Sequence, residues 1–137
     1  MKLENLSRTI LEFYEKISSW EESVVKDSGL TTAQIHALEI VGHARAVKMK
    51  DLAEKIGVTT GTLTVTVDKL EKKGLLVRRP HEKDRRSYMI ELTQEGIKHF
   101  EEHHNFHLRM TQEIVSDLSE QEQEAFGAIM EKVIKTI

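Results

Sequence analysis

The chain has 137 residues, enough for one domain with a real core, and a formal charge of −3 from 20 Lys/Arg against 23 Asp/Glu. It contains no cysteine, which excludes disulfides, thiolate metal sites and cysteine redox chemistry. No apolar run approaches the ~20 residues of a membrane span, and the opening MKLENLSRTILEFY lacks the basic-then-apolar pattern of a signal peptide, so the expectation is a soluble cytoplasmic protein with no membrane partner.

In chain order, Leu3, Leu6, Ile10, Phe13, Ile17, Trp20 and Val24 alternate spacings of three and four, predicting a helix from Leu3 to Lys26 with a narrow apolar seam. So narrow a seam calls for another helix against it, such as one from a second copy. Gly29 stops this helix. Thr31 and Gln34 form a capping box for the second helix, stapled by Leu30 and Ile35; it fades between Gly42 and Ala46. A short helix from Lys50 to Ile56 ends at Gly57. Thr59 caps the next, which runs to Lys73, and Gly74 follows where a left-handed residue is expected.

Leu75–Arg79 and Arg86–Leu92 read as short strands, with a hairpin tip, Pro-His-Glu-Lys-Asp, between them. Thr93 caps a long helix from Gln94 to Leu118. Ser119 and Glu122 box the last helix, which carries Ala125, Ile129 and Val133 on one side. The predicted fold is mainly α, six helices with a two-stranded β-wing. The first and last helices flank the central unit and are expected to form a separate lobe that pairs across a two-fold axis.

Charge is unevenly placed. Residues 48–86 hold 11 Lys/Arg and 6 Asp/Glu, a local balance of +5, so the rest of the chain carries −8. A basic island in an acidic body is an electrostatic footprint for a polyanion. On the fourth helix, Leu63, Val67 and Leu70 should pack onto Leu52 and Ile56, which turns Gly61, Thr62, Thr64, Val65, Asp68, Lys69 and Lys72 outward. Gly61 lets a backbone approach closely, and Thr62 and Thr64 offer hydroxyls for base edges and methyls for thymine. Val65 is an apolar residue in the middle of that face. Lys69, Lys72 and Lys73 suit phosphates. Thr59, Thr60, Arg78 and Lys83 complete the expected DNA-facing set with Arg85 and Arg86. Arg85 is the candidate for minor-groove insertion, while Arg86 is expected to pair with Asp68 or Asp84 and so brace the wing.

The run from Thr31 to Gly96 resembles the multiple antibiotic resistance regulator (MarR) family of winged helix-turn-helix transcription factors. The resemblance is carried by LAEKIGVTTGTLTVTVDKLEKKGLL, the wing DRRSYMIELT and the QEG that opens a long helix. It implies a winged helix-turn-helix lobe at residues 31–93 and dimerisation helices at 1–28 and 97–137. It further implies a homodimeric repressor on a pseudo-palindromic operator of double-stranded DNA, tuned by a ligand between the lobes.

For that ligand the residues leave alternatives open. His99, His103 and His107 lie four apart on the long helix, a spacing at which His103 and His107 can clamp one ion. His36 could add a nitrogen and Glu21 or Glu22 a carboxylate, with Glu22 the nominated ligand. The layout resembles zinc-sensing members of the family. The segment HNFHLRM also resembles fatty-acid-synthesis repressors, which implies an apolar or acyl ligand in a pocket of Phe13, Trp20, Phe100, Phe106 and Met110. A third reading leaves the histidines as ligand-free polar groups.

An enzyme is not expected, since there is neither a Gly-rich phosphate loop nor a cysteine nucleophile. The rival function is a helical protein-interaction module that binds no DNA, which leaves the basic wing without a purpose.

Overall fold

The computed structural model describes residues 1–84 and 86–137. Six helices and three strands run in the order α1 (Leu3–Ser28), α2 (Thr32–Ala44), β1 (Ala46–Lys48), α3 (Met49–Ile56), α4 (Thr60–Lys72), β2 (Leu76–Pro80), β3 (Tyr88–Leu92), α5 (Gln94–Ile114) and α6 (Glu120–Thr136). The chain divides into two compact units, Met1–His104 and Asn105–Ile137. The division falls inside α5 and groups α1 with the central unit.

Local hydrogen bonds set the element boundaries. Thr31 Oγ1 accepts from the Gln34 amide at 3.2 Å, and Gln34 Oε1 accepts from the Thr31 amide at 3.1 Å, closing the capping box of α2. Ser119 and Glu122 do the same for α6. Recognition-helix candidate α4 starts at Thr59, whose Oγ1 accepts from the Thr62 amide. It ends in a Schellman turn: the Gly74 amide reaches Glu71 O at 2.9 Å and the Leu75 amide reaches Leu70 O at 3.0 Å. Gly74 sits at φ +75°, a conformation that costs glycine nothing and most side chains a great deal.

The wing belongs to a three-stranded antiparallel sheet of order β1-β3-β2, one strand more than the sequence suggested. Ala46–Lys48 lies just where the sequence has the second helix fade, and three residues give no periodicity to detect. They gain strand identity from pairing, Val47 opposite Ile90 and Lys48 opposite Met89. The long helix also stops at Ile114 rather than Leu118. Beyond it the Ser116 and Leu118 amides bond three residues back, to Glu113 and Val115, as the chain tightens ahead of the Ser119 cap.

The core of the first unit gathers Leu38 and Val41 of α2, Leu52 of α3, Leu63, Val67 and Leu70 of α4, and Leu76 and Ile90 of the sheet. The expected packing of α4 on Leu52 and half-buried Ile56 is present. Burying such a side chain contributes about 1.5–3 kcal/mol, so this stripe fixes which side of α4 faces out. In the second unit α6 has no buried residue.

Candidate nucleic-acid interface and helix-junction cluster

The outer side of α4 is what the core leaves over. Thr59, Thr60, Gly61, Thr62 and Val65 are exposed, Val65 by 54%, as are Lys69 and Lys72 near the C-terminal end. Thr64 is half-buried, and its hydroxyl donates to Thr60 O at 2.7 Å. Thr59 Oγ1 donates to Thr62 Oγ1 at 3.1 Å, ordering two hydroxyls at the helix start. Lys73 departs from the phosphate role. Its Nζ donates to Gly29 O at 3.4 Å and to Gln34 Oε1 at 3.3 Å, tying the end of α4 to the α1–α2 turn.

The brace between α4 and the wing uses a different arginine from the one expected. Asp68 is held in a close ion pair by Arg78 of β2, in place of Arg86. Arg78 also lies 3.7 Å from Glu71 Oε2 through Nε and donates its backbone amide to that oxygen at 3.2 Å. Expected to face DNA, Arg78 is instead a half-buried strut between two carboxylates of α4. The neighbouring Arg79 pairs with Glu91 across the hairpin at 2.9 Å.

Asp84 organises the wing tip. Its carboxylate accepts from the Arg86 amide at 3.0 Å and the Ser87 hydroxyl at 3.1 Å. His81, which the sequence reading passed over, supports the same turn: its Nδ1 accepts from the amides of exposed Lys83 and Asp84 at 3.2 and 3.1 Å. A histidine just after the only proline, at the start of the tip, was the available signal. Arg85, the minor-groove candidate, lies outside the described residues.

The bond from the Arg86 amide, then that from Ser87, hold the Asp84 carboxyl below its ordinary 3.8, with the charge on Lys48 adding a little to the effect. A depressed carboxylate contributes order above its unfolded value and loses it as pH falls through the folded one. The two bonds that the Asp84 carboxylate accepts should therefore persist from neutral pH down past 3.8. Amide NMR titration of Arg86 and Ser87 checks this, and a midpoint at or above 3.8 would contradict it.

Away from the interface, His103 of α5 is 5% exposed, and two carboxylates converge on its Nε2: Glu21 of α1 at 2.9 Å and Glu39 of α2 at 3.0 Å. Two of the nominated partners take no part in this convergence. Glu22, one residue on, is exposed, as is His36. Two oxygens so near one nitrogen suit a single N–H shared between two carboxylates, or a metal ion among the three donors. Zinc ligands at about 2.0–2.2 Å sit roughly 3–3.5 Å apart, so the donor spacing suits either. His107, one turn along α5, is half-buried and accepts from Thr111 through its carbonyl.

The residues nominated for an apolar pocket differ in exposure. Phe13, Trp20 and Met110 are half-buried; Phe106 is 38% exposed, with the Arg109 guanidinium 4.7 Å above its ring. Phe100 fills the space a Cβ at Gly42 would need, meets His43 edge-on and stacks on His104. Beside it lies a cavity of about 500 Å³ walled by Val41, Gly42, Leu92, Ile97 and Phe100, with Arg45 and Glu101 at the rim. Among the described residues, no helix is long and apolar enough to cross a membrane.

Comparison with known proteins agrees with this architecture. The family model described as "MarR family" matches residues 30–88. MhqR, a transcriptional regulator of Bacillus subtilis, is 29% identical over 120 residues, covering 88% of this chain and 83% of its own. BilQ, a transcriptional regulator of Clostridium symbiosum, is 27% identical over 124 residues, covering 90% and 86%. FabT of Streptococcus pneumoniae, solved in complex with DNA, is 24% identical, covers 98% of this chain and 96% of its own, and superposes with a TM-score of 0.89; that likeness bears on the fold. MhqR and BilQ are transcriptional regulators by name, and residues 30–88 of the chain carry the likeness to the MarR family.

Proposed function

We propose that the protein is a cytoplasmic repressor that binds a pseudo-palindromic operator as a homodimer, with its affinity set by a ligand at the α1–α2–α5 junction. The exposed face of α4 carries this reading: Gly61, Thr62, Val65, Lys69 and Lys72 stand free of the core, held in register with the wing by Asp68 and Arg78. Glycine, threonines and an apolar side chain flanked by lysines suit base edges inside a groove with phosphates at its lip.

Pairing is supported by apolar surface that each unit leaves uncovered. In the first unit Leu3, Leu6, Ile10 and Leu11 of α1 are exposed; in the second, Ile129, Val133 and Ile134 of α6 are. Runs of this kind mark interaction surfaces, and a two-fold axis covers the same patch on both copies at once.

The test begins with a duplex selected from a random-sequence pool on the purified protein. Fluorescence anisotropy should give two chains per duplex and an affinity that falls linearly with salt on a log–log scale, because neutralised phosphates release counterions. Failure to select any duplex, or salt-independent binding, would overturn the reading.

For the ligand, the convergence of Glu21 and Glu39 on buried His103 favours a cation, with zinc the probe. Chelator-stripped protein titrated with zinc should bind in stoichiometric amount, and His103→Ala or Glu39→Gln should weaken that binding at least about 10-fold. Wild type without a stoichiometric site would remove the metal reading. The cavity beside Phe100 supports the second reading, an apolar or acyl ligand. Under that reading zinc leaves operator affinity unchanged while a long-chain acyl compound shifts it.

A further inference from the structure

At the foot of the wing the first unit holds a second feature of the DNA-facing side. A cleft of about 240 Å³ opens between β1, the starts of α3 and α4, and the beginning of β3. Its walls carry Lys48, Lys50 and Arg86, together with Thr60, Ser87 and Tyr88, and Met49 forms part of the lining. Three cationic side chains from two separate stretches of sequence thus line one small space. Like charges gathered this way repel unless an anion lies between them.

Asp84, two residues before Arg86, is already engaged by the Arg86 amide and the Ser87 hydroxyl. Among the described residues lining the cleft, none carries a carboxylate. The cleft exceeds several times the ~30 Å³ share of a water molecule, so a tetrahedral anion fits with room for its ester links. The three hydroxyls supply donors that a phosphate oxygen can use.

We propose that this cleft seats a single phosphodiester of the operator backbone, gripped by Lys48, Lys50 and Arg86 at the point where β1, α4 and the wing meet. The proposal rests on the DNA-binding reading and deepens it. Sequence-independent contacts of this kind fix orientation on a duplex. Joining β1 to the wing base through one phosphate would set the angle at which α4 enters the groove.

Lys48 and Lys50 are exposed, and α3 has no side-chain cap from Lys48, so Lys48→Gln and Lys50→Gln should leave folding intact. With the selected duplex, each variant should weaken binding and make the salt slope shallower by up to about two, one for the seat in each half-site. The double variant should lose about two as well, because both lysines of a protomer serve one phosphate. Neutral methylphosphonates placed one at a time along the duplex should reveal a position, repeated in the other half-site, that weakens wild type but not the double variant.

If wild type binds with a steep salt slope and the double variant keeps both affinity and slope, the seat is overturned while the DNA reading stands. Additive loss of about four from the slope, two per half-site, would also overturn the shared phosphate. If wild type binds no duplex, the functional reading fails and the seat falls with it.

Discussion

Gly96→Ala is expected to lower stability by about 3 kcal/mol, the upper end for overpacking a filled site. Gly96 lies in the first turn of α5, and a Cβ there would overlap the carbonyl oxygen of Leu75. That carbonyl cannot step aside. It accepts from the Thr93 amide at 3.1 Å, Thr93 Oγ1 donates to Gly74 O at 2.6 Å, and the Gly96 amide donates back to Thr93 Oγ1 at 3.0 Å. The methyl group must lift α5 off the turn that ends α4 and begins β2.

For a chain of this size the loss corresponds to a Tm lower by on the order of 10 °C, readable by circular dichroism. Gly61→Ala provides the control: its new Cβ would come no nearer than 3.9 Å to Thr59 Oγ1. Within a helix that change should be neutral or stabilising by up to ~1 kcal/mol. A Gly96→Ala protein that melts with wild type would show that α5 does not dock as described.

Val65→Glu should have the largest effect on operator binding. Val65 stands exposed in the middle of the α4 face, so the substitution disturbs no packing, and stability should hold within ~0.5 kcal/mol. In a groove lined by phosphates the carboxylate is repelled and also displaces an apolar contact. A wrong contact at a base costs about 1–3 kcal/mol, and the added charge argues for the upper end, on the order of 100-fold in affinity. Anisotropy with the selected duplex measures it. Undiminished binding by Val65→Glu would mean that another surface meets the DNA.

The parts of this molecule legible in the sequence are those decided within a few residues. The caps at Thr31, Thr59 and Ser119 each depend on an i to i+3 bond, and the sequence announces them. The buried stripe Leu63–Val67–Leu70 follows from helical period, and the exposed face of α4 follows from the stripe. What failed depends on how elements cross. Glu21 and Glu22 differ by about 100° of helix rotation, and only the packing of α1 on α2 decides which one meets His103.

The same holds for Glu39 against His36 on α2. Arg78 rather than Arg86 reaches Asp68 because the Schellman turn at Gly74 folds β2 back beside α4, a geometry no charge pattern encodes. Strand β1 is an extreme case: three residues whose identity comes wholly from their partner β3.

The central claim is that two copies of α4 meet one duplex together. A chain without cysteine permits unambiguous single-site spin labelling, and Lys72→Cys puts a label on the exposed C-terminal end of α4. Pulsed dipolar spectroscopy on the operator-bound protein should give a single separation on the order of 30–40 Å, one turn of B-DNA between successive grooves. Absence of dipolar coupling, or a separation that no two grooves on one side of a duplex can match, would contradict the account.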